Sequence, residues 1–238
     1  MSEVEEREDL EAIPDGWLWT TLSEIGIITS GATPSSSRSE YFGGDVAWVT
    51  PADLSGYTEK YISGGSRFLT AQGLASCSAT LVPSGSVLFS SRAPIGYVAV
   101  AKNEISTNQG FKNVTPFDGV SSDYLYHYLK ASKGLAESYA SGTTFLELSG
   151  SKFAQLPFPL APLAEQERIV TKLEELFTRL DAGIALTKRT KALLKRYRQS
   201  VLKAAVEGEM SREWREAQGD TLEPVCIRAE RKNFNQVP

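Results

Sequence analysis

From Pro162 to Gly208 the chain carries no residue that would stop a helix, and Gly208 supplies the stop. The run predicts one helix of about 46 residues, which at about 1.5 Å per residue is a rod of roughly 70 Å. No single small core needs a helix that long. With Leu173 at position a of a heptad, the a/d positions become Ile169, Leu173, Leu176, Leu180, Gly183, Thr187, Thr190, Leu194, Tyr197, Val201 and Ala204. The stripe is apolar at both ends and weak in the middle, where Ile184, Leu186 and Leu193 lie beside it. Such a face predicts pairing with another long helix, with Ile169, Leu173, Leu176, Leu180, Leu194, Tyr197 and Val201 as the seam.

What precedes the rod reads as a mixed α/β domain, so the fold class is α+β with a long coiled-coil-forming helix at its end. Strand-like runs recur between Gly- and Ser-rich turns at Trp17–Leu22, Ile25–Thr29, Val46–Thr50, Ser86–Ser90, Tyr97–Ala101 and Phe111–Thr115. Thr70–Ser76 and Ser122–Ser138 have helical spacing, the second through Tyr124, Leu125, Tyr128, Leu129 and Leu135. Pro157-Phe158-Pro159-Leu160 is stiff and extended, and predicts a rigid joint between domain and rod. The expected organisation is an acidic leader (1–14), a domain (15–160), the helix (161–210) and a tail or linker (211–238).

Charge is divided unevenly along these parts. The net charge of −4 hides a leader at −5 and a helix segment at +3. Between Lys188 and Lys203 stand seven bases and no acid: Lys188, Arg189, Lys191, Lys195, Arg196, Arg198 and Lys203. That stretch reads either as a solvated helix face or as a face toward phosphates or an acidic partner helix. No apolar run reaches the length of a membrane span, and the acidic start lacks the pattern of a signal peptide. A cytoplasmic location is expected. Two distant cysteines, Cys77 and Cys226, fit a reducing compartment without a disulfide framework.

Signatures of covalent chemistry are missing. His127 is the sole histidine, flanked by Tyr126 and Tyr128, and reads as structural. There is no zinc spacing, no phosphate loop and no dinucleotide fingerprint. Asp53, Glu59 and Lys60 make a poor metal cluster, because neighbours on a strand point to opposite faces. Binding is the expected role, with no catalytic residue and no metal. Polar loops carry groups suited to phosphate oxygens and base edges: Arg38, Arg67, Ser91, Arg92, Asn108, Gln109 and Lys112. For each, bracing a turn or bridging strand ends is the competing reading.

In order along the chain stand Pro14-Asp15-Gly16-Trp17, Thr21-Leu22-Ser23-Glu24-Ile25, Ser30-Gly31-Ala32-Thr33-Pro34, Tyr41-Phe42-Gly43-Gly44-Asp45 and Trp48-Val49. Then follow Leu81-Val82-Pro83-Ser84-Gly85-Ser86-Val87-Leu88, Ser90-Ser91-Arg92, Thr107-Asn108-Gln109-Gly110-Phe111-Lys112, Leu156-Pro157-Phe158-Pro159-Leu160 and Leu163-Ala164-Glu165-Gln166-Glu167-Arg168-Ile169-Val170. Together these resemble the specificity subunit of type I restriction–modification systems over about residues 14–210. The resemblance implies a target recognition domain on double-stranded DNA at 15–160 and a spacer helix at 163–208. It also implies methyltransferase subunits docked around that spacer (161–210), which serves for dimerisation as well, and motor-nuclease restriction subunits that join for cleavage. The methyltransferase would use S-adenosylmethionine and the nuclease ATP and Mg, while this chain binds no cofactor itself.

Family members usually join two recognition domains and two spacers in one polypeptide, whereas this sequence has one of each. It therefore reads as a half-subunit or a fragment, and the unpaired seam predicts a homodimer reading a bipartite target. The rival expectation is a coiled-coil scaffold whose globular domain binds another protein.

Overall fold

In the computed structural model the described residues are 12–142 and 146–219. Residues 1–11 of the acidic leader, and the tail from 220 with Cys226, lie outside them. The chain divides into two units, one reaching to Glu175 and one starting at Leu176.

The first unit is built in the order β1 (Leu18–Thr21), α1 (Leu22–Ile25), β2 (Gly26–Ser30), β3 (Phe42–Val49), β4 (Tyr61–Ile62), β5 (Arg67–Leu69), α2 (Ala71–Ala75), β6 (Val87–Ser91), β7 (Ile95–Ala101), β8 (Ser106–Thr107), β9 (Phe111–Pro116), α3 (Ser122–Ala131), α4 (Lys133–Tyr139), α5 (Gly150–Ala154) and β10 (Pro157–Leu160). The start of α6 (Leu163–Val206) completes it. The central sheet runs β2-β9-β6-β7-β4, a smaller one β5-β3-β8, and β1 pairs with β10.

Alternation along the central strands creates two cores. Val87 and Phe89 of β6 face one side with Val114, Leu125, Leu129, Phe153 and Phe158, under the helices. Leu88 between them faces the other side with Ala47, Val49, Leu54, Ile105 and Phe111, under the small sheet. All of these are buried. The expected strands are present with edges moved by at most four residues, the largest shift being that β3 starts earlier, at Phe42. The expected helix Ser122–Ser138 is broken in two at Ser132, whose hydroxyl donates to the Tyr128 carbonyl at 2.8 Å.

Pro157–Leu160 is not a joint outside the domain. As β10 it pairs antiparallel with β1, Trp19 opposite Pro159 and Thr21 opposite Pro157. The Leu22 N–H donates to the Leu156 carbonyl at 3.1 Å, and Phe158 is fully buried. The fixed φ of each proline suits an edge strand as well as it suits a spacer.

The opening turns of α6 are part of this unit. Gln166 and Val170 are buried and Ile169 packs partly on the core. The Gln166 carboxamide donates to the carbonyls of Ala161 (2.7 Å) and Gly119 (3.1 Å) and accepts the Ser121 N–H at 2.8 Å. The Trp17 indole N–H donates to Glu165 at 3.1 Å. One turn beyond Val170, Glu174 receives Lys60 Nζ at 2.5 Å, and Lys60 also lies 3.1 Å from Asp123. Residues 166, 170 and 174 thus form a docking stripe beside the seam positions Ile169 and Leu173.

The second unit carries the rest of α6 as an exposed helix, with Leu176, Leu180, Leu194 and Tyr197 open to solvent and Val201 partly so. α6 ends at Val206, and Gly208 takes a left-handed φ of 74°, the usual helix stop. A short further helix, α7 (Arg212–Gln218), stands where the sequence suggests a tail or linker. No helix among the described residues is long and apolar enough to cross a membrane.

Candidate nucleic-acid interface

Three of the sequence motifs meet at one end of the central sheet. β2 runs out at Ser30 into Gly31-Ala32-Thr33, β6 ends in Ser90-Ser91-Arg92, and the turn Thr107–Gly110 feeds β9. They are tied mainly through the backbone. The Ala32 N–H donates to the Thr107 carbonyl at 2.9 Å, and Gly31 sits so close that a Cβ there would lie 2.2 Å from the carbonyl oxygens of Thr107 and Asn108. Only glycine permits that approach. The Trp48 indole N–H donates to the Ala32 carbonyl at 3.2 Å, and the Asn108 N–H to the Val49 carbonyl at 2.9 Å, so β3 joins the same knot.

The candidate residues divide into inward and outward groups. Ser91 is fully buried, its N–H donating to the Gly110 carbonyl at 2.7 Å and its hydroxyl to the same oxygen at 3.2 Å. Asn108 braces the turn, with its side-chain oxygen accepting the Gly110 N–H at 2.9 Å. Lys112 is only 8% exposed and donates to the Ser30 hydroxyl at 3.1 Å. Burial pushes the Lys112 ammonium below the ordinary lysine range; the charge of Glu147 opposes the shift and that of Arg92 reinforces it.

Gln109, by contrast, is exposed, and its side-chain oxygen accepts the Thr33 hydroxyl. Arg92 is half-buried and lies 3.6 Å from Glu147. Arg38 and Arg67 are not part of the knot but stand over adjacent rings. The Arg67 guanidinium carbon is 3.9 Å from the Phe42 ring centre and that of Arg38 is 5.6 Å from the Tyr41 centre. Arg38 also makes a long, exposed ion pair with Glu40 at 3.7 Å. Arginines resting on rings keep their guanidinium edges available for a bidentate acceptor.

Asp53, Glu59 and Lys60 do not converge. Asp53 Oδ2 accepts the Thr50 N–H (2.8 Å) and hydroxyl (2.7 Å), and its Oδ1 accepts the Ser66 N–H at 2.8 Å. Burial works to raise its pKa, and hydrogen bonds from Ser66 and Thr50 outweigh that and lower it. Lys60 is instead spent on Glu174 and Asp123. Burial disfavours its charge, but the two carboxylates prevail and hold its pKa above the usual lysine range. No group of acids, cysteines or histidines suited to a metal occurs among the described residues.

Sequence reasoning missed Trp48 and Gly31 as participants, and gave Asp53 no bracing role. Asp53 follows Thr50 by three residues, the spacing of a capping box, and could have been found that way. Trp48 and Gly31 lay inside motifs already noticed, but nothing local shows that an indole and a glycine forty or more residues before Thr107 close the same knot.

Comparison with known proteins gives the arrangement its family. Residues 14–196, the body and most of α6, match the family described as type I restriction modification DNA specificity domain. The MjaIX specificity subunit of Methanocaldococcus jannaschii is 45% identical over 168 residues, covering 69% of this chain and 39% of that protein. The HindI specificity subunit of Haemophilus influenzae is 29% identical over 192 residues, covering 77% of this chain and 41% of that one. A crystal structure of an HsdS subunit from Thermoanaerobacter tengcongensis superposes with a TM-score of 0.63 at 25% identity, over 83% of this chain and 46% of that one. The chain spans about two fifths of the length of the curated relatives it matches. With the match running through both the body and most of α6, the chain belongs to the type I restriction–modification DNA specificity family.

Proposed function

We propose that this chain reads one half of a bipartite DNA target for a type I restriction–modification complex and does no covalent chemistry itself. Residues 15–160 with the first turns of α6 act as the recognition domain, and the remainder of α6 acts as the spacer. Arg38, Arg67, Arg92 and Gln109 are the direct contacts to duplex DNA. Ser91, Asn108 and Lys112 hold the surface that presents them. The observation that carries this reading is the family match running through both body and helix, with outward-facing arginines and Gln109 around a knot that uses its other polar groups internally.

A second copy is the proposed partner for the seam, pairing through the exposed Leu176, Leu180, Leu194 and Tyr197, with the half-buried Ile169, Leu173 and Val201 at its margins. Methyltransferase subunits carrying S-adenosylmethionine, and restriction subunits using ATP and Mg, supply the reactions in the cytoplasm. The test is to co-express the chain with a type I methyltransferase subunit and sequence the methylated genome. A defined two-part motif with an unread gap is expected. Methylation absent or scattered without a motif overturns the reading.

A further inference from the structure

The basic stretch of α6 from Lys188 to Lys203 is not used by the recognition surface or by the seam. At about 100° per residue its seven bases fall within an arc of about 180°, and the seam from Thr187 to Ala204 lies within about 100° on the opposite side. Pairing of the seam therefore leaves the basic face uncovered. Every base in it is exposed. Lys203 pairs with Glu207 at 3.7 Å; among the described residues the other six have no acid within ion-pair distance. An ordinary solvated helix face interleaves acids at i+3 or i+4, and this one has no acid at 182–206, Glu207 beside Lys203 being the first to follow.

The face also lacks what a protein helix would grip. Partner helices lay apolar anchors into a groove at i, i+3, i+4 and i+7. The basic arc offers Leu202 as its only large apolar side chain. A dense row of exposed Lys and Arg with one anchor fits an anion of evenly spaced charge, and duplex DNA carries one per about 1.7 Å of axis. We propose that this face of α6 holds the sugar–phosphate backbone of the unread DNA between the two halves of the target, a contact indifferent to sequence. The inference rests on the DNA-specificity reading above.

The test uses the full chain, a random-sequence 40-bp duplex and a salt titration of the dissociation constant. Replacing Lys195→Gln, Arg196→Gln and Arg198→Gln together keeps good helix formers in place. Each lost phosphate contact should reduce the slope of log affinity against log salt by about 0.9, so the triple variant should lose about 2–3 from it. Lys195→Arg should leave the slope unchanged. The triple variant should still direct methylation to the original motif when co-expressed, with unaltered circular dichroism. A slope equal to that of the unmodified chain, with the motif intact, overturns this inference and leaves the proposed function standing. An unchanged slope with loss of co-purifying methyltransferase overturns it in favour of a protein partner. If the unmodified chain binds no duplex at all, both readings fall.

Discussion

The Gln166 side-chain oxygen accepts the backbone N–H of Ser121 at 2.8 Å, which fastens the first turn of α6 to the loop that starts α3. Gln166 is fully buried and all its hydrogen-bonding capacity shown here goes to main chain. Gln166→Ala would leave the Ser121 N–H and the Ala161 and Gly119 carbonyls short of a side-chain partner, the Ala161 carbonyl in a buried place. A loss of about 2–4 kcal/mol in urea unfolding is expected, and Gln166→Leu should not restore it, because volume is not what is missing.

Two glycines should respond in opposite directions. Gly31→Ala forces a Cβ to 2.2 Å from two backbone oxygens that cannot rotate away, so a loss of about 3 kcal/mol or more is expected from thermal melts. Gly183 lies inside α6 with nothing within 4 Å of its would-be Cβ. Gly183→Ala should raise helix stability by about 1 kcal/mol, read as higher residual helicity on heating.

His127 gives the body an acid-side sensitivity. Burial lowers its pKa, the charge of Lys60 lowers it further, Glu174 and Asp123 pull it up, and Lys130 lowers it again. The folded state therefore binds fewer protons at this site than the unfolded chain. Stability should fall as pH drops from just above the ordinary histidine value of about 6.5 to the lower folded-state value, then level off. Melting temperature followed against pH should show a shallower decline over that window in His127→Gln. An unchanged slope would locate the sensitivity elsewhere.

The seam prediction is separable from folding of the body. Leu180 and Leu194 are 59% and 56% exposed, so charging them disturbs nothing within the chain. In a pair of chains, Leu180→Lys with Leu194→Lys removes four apolar contacts. Dissociation should become at least about 1000-fold easier, seen as monomer mass in light scattering with an unchanged melt of the body.

The sequence disclosed what is local and periodic. The strand at Ser86–Ser90 and the uninterrupted helix could be read from the sequence, because a short apolar run between turn signals and the absence of breakers are properties of neighbours. The parallel pairing of β3 with β8, Trp48 opposite Ser106, could not, since it joins residues more than fifty apart. The same gap in reach explains the proline strand. Pro157 and Pro159 announce an extended backbone, but only the partner Leu18–Thr21 decides whether that backbone is a joint or part of a sheet. Lys112 and Ser91 illustrate the other limit. Their residue types suit DNA, and their direction depends on a register that puts Lys112 opposite Ser30 in β2 and Phe89 in β6.

The knot at the end of the central sheet is closed chiefly through the carbonyl oxygens of Ala32, Val49, Thr107 and Gly110. Main-chain oxygens are common to all amino acids, so neighbouring exposed positions such as Ser35, Ser36, Ser37 and Arg38 can change identity without loosening it. If the chain reads DNA as proposed, drift in its outermost side chains trades one recognised sequence for another, while Gly31 and Trp48 remain the hardware beneath.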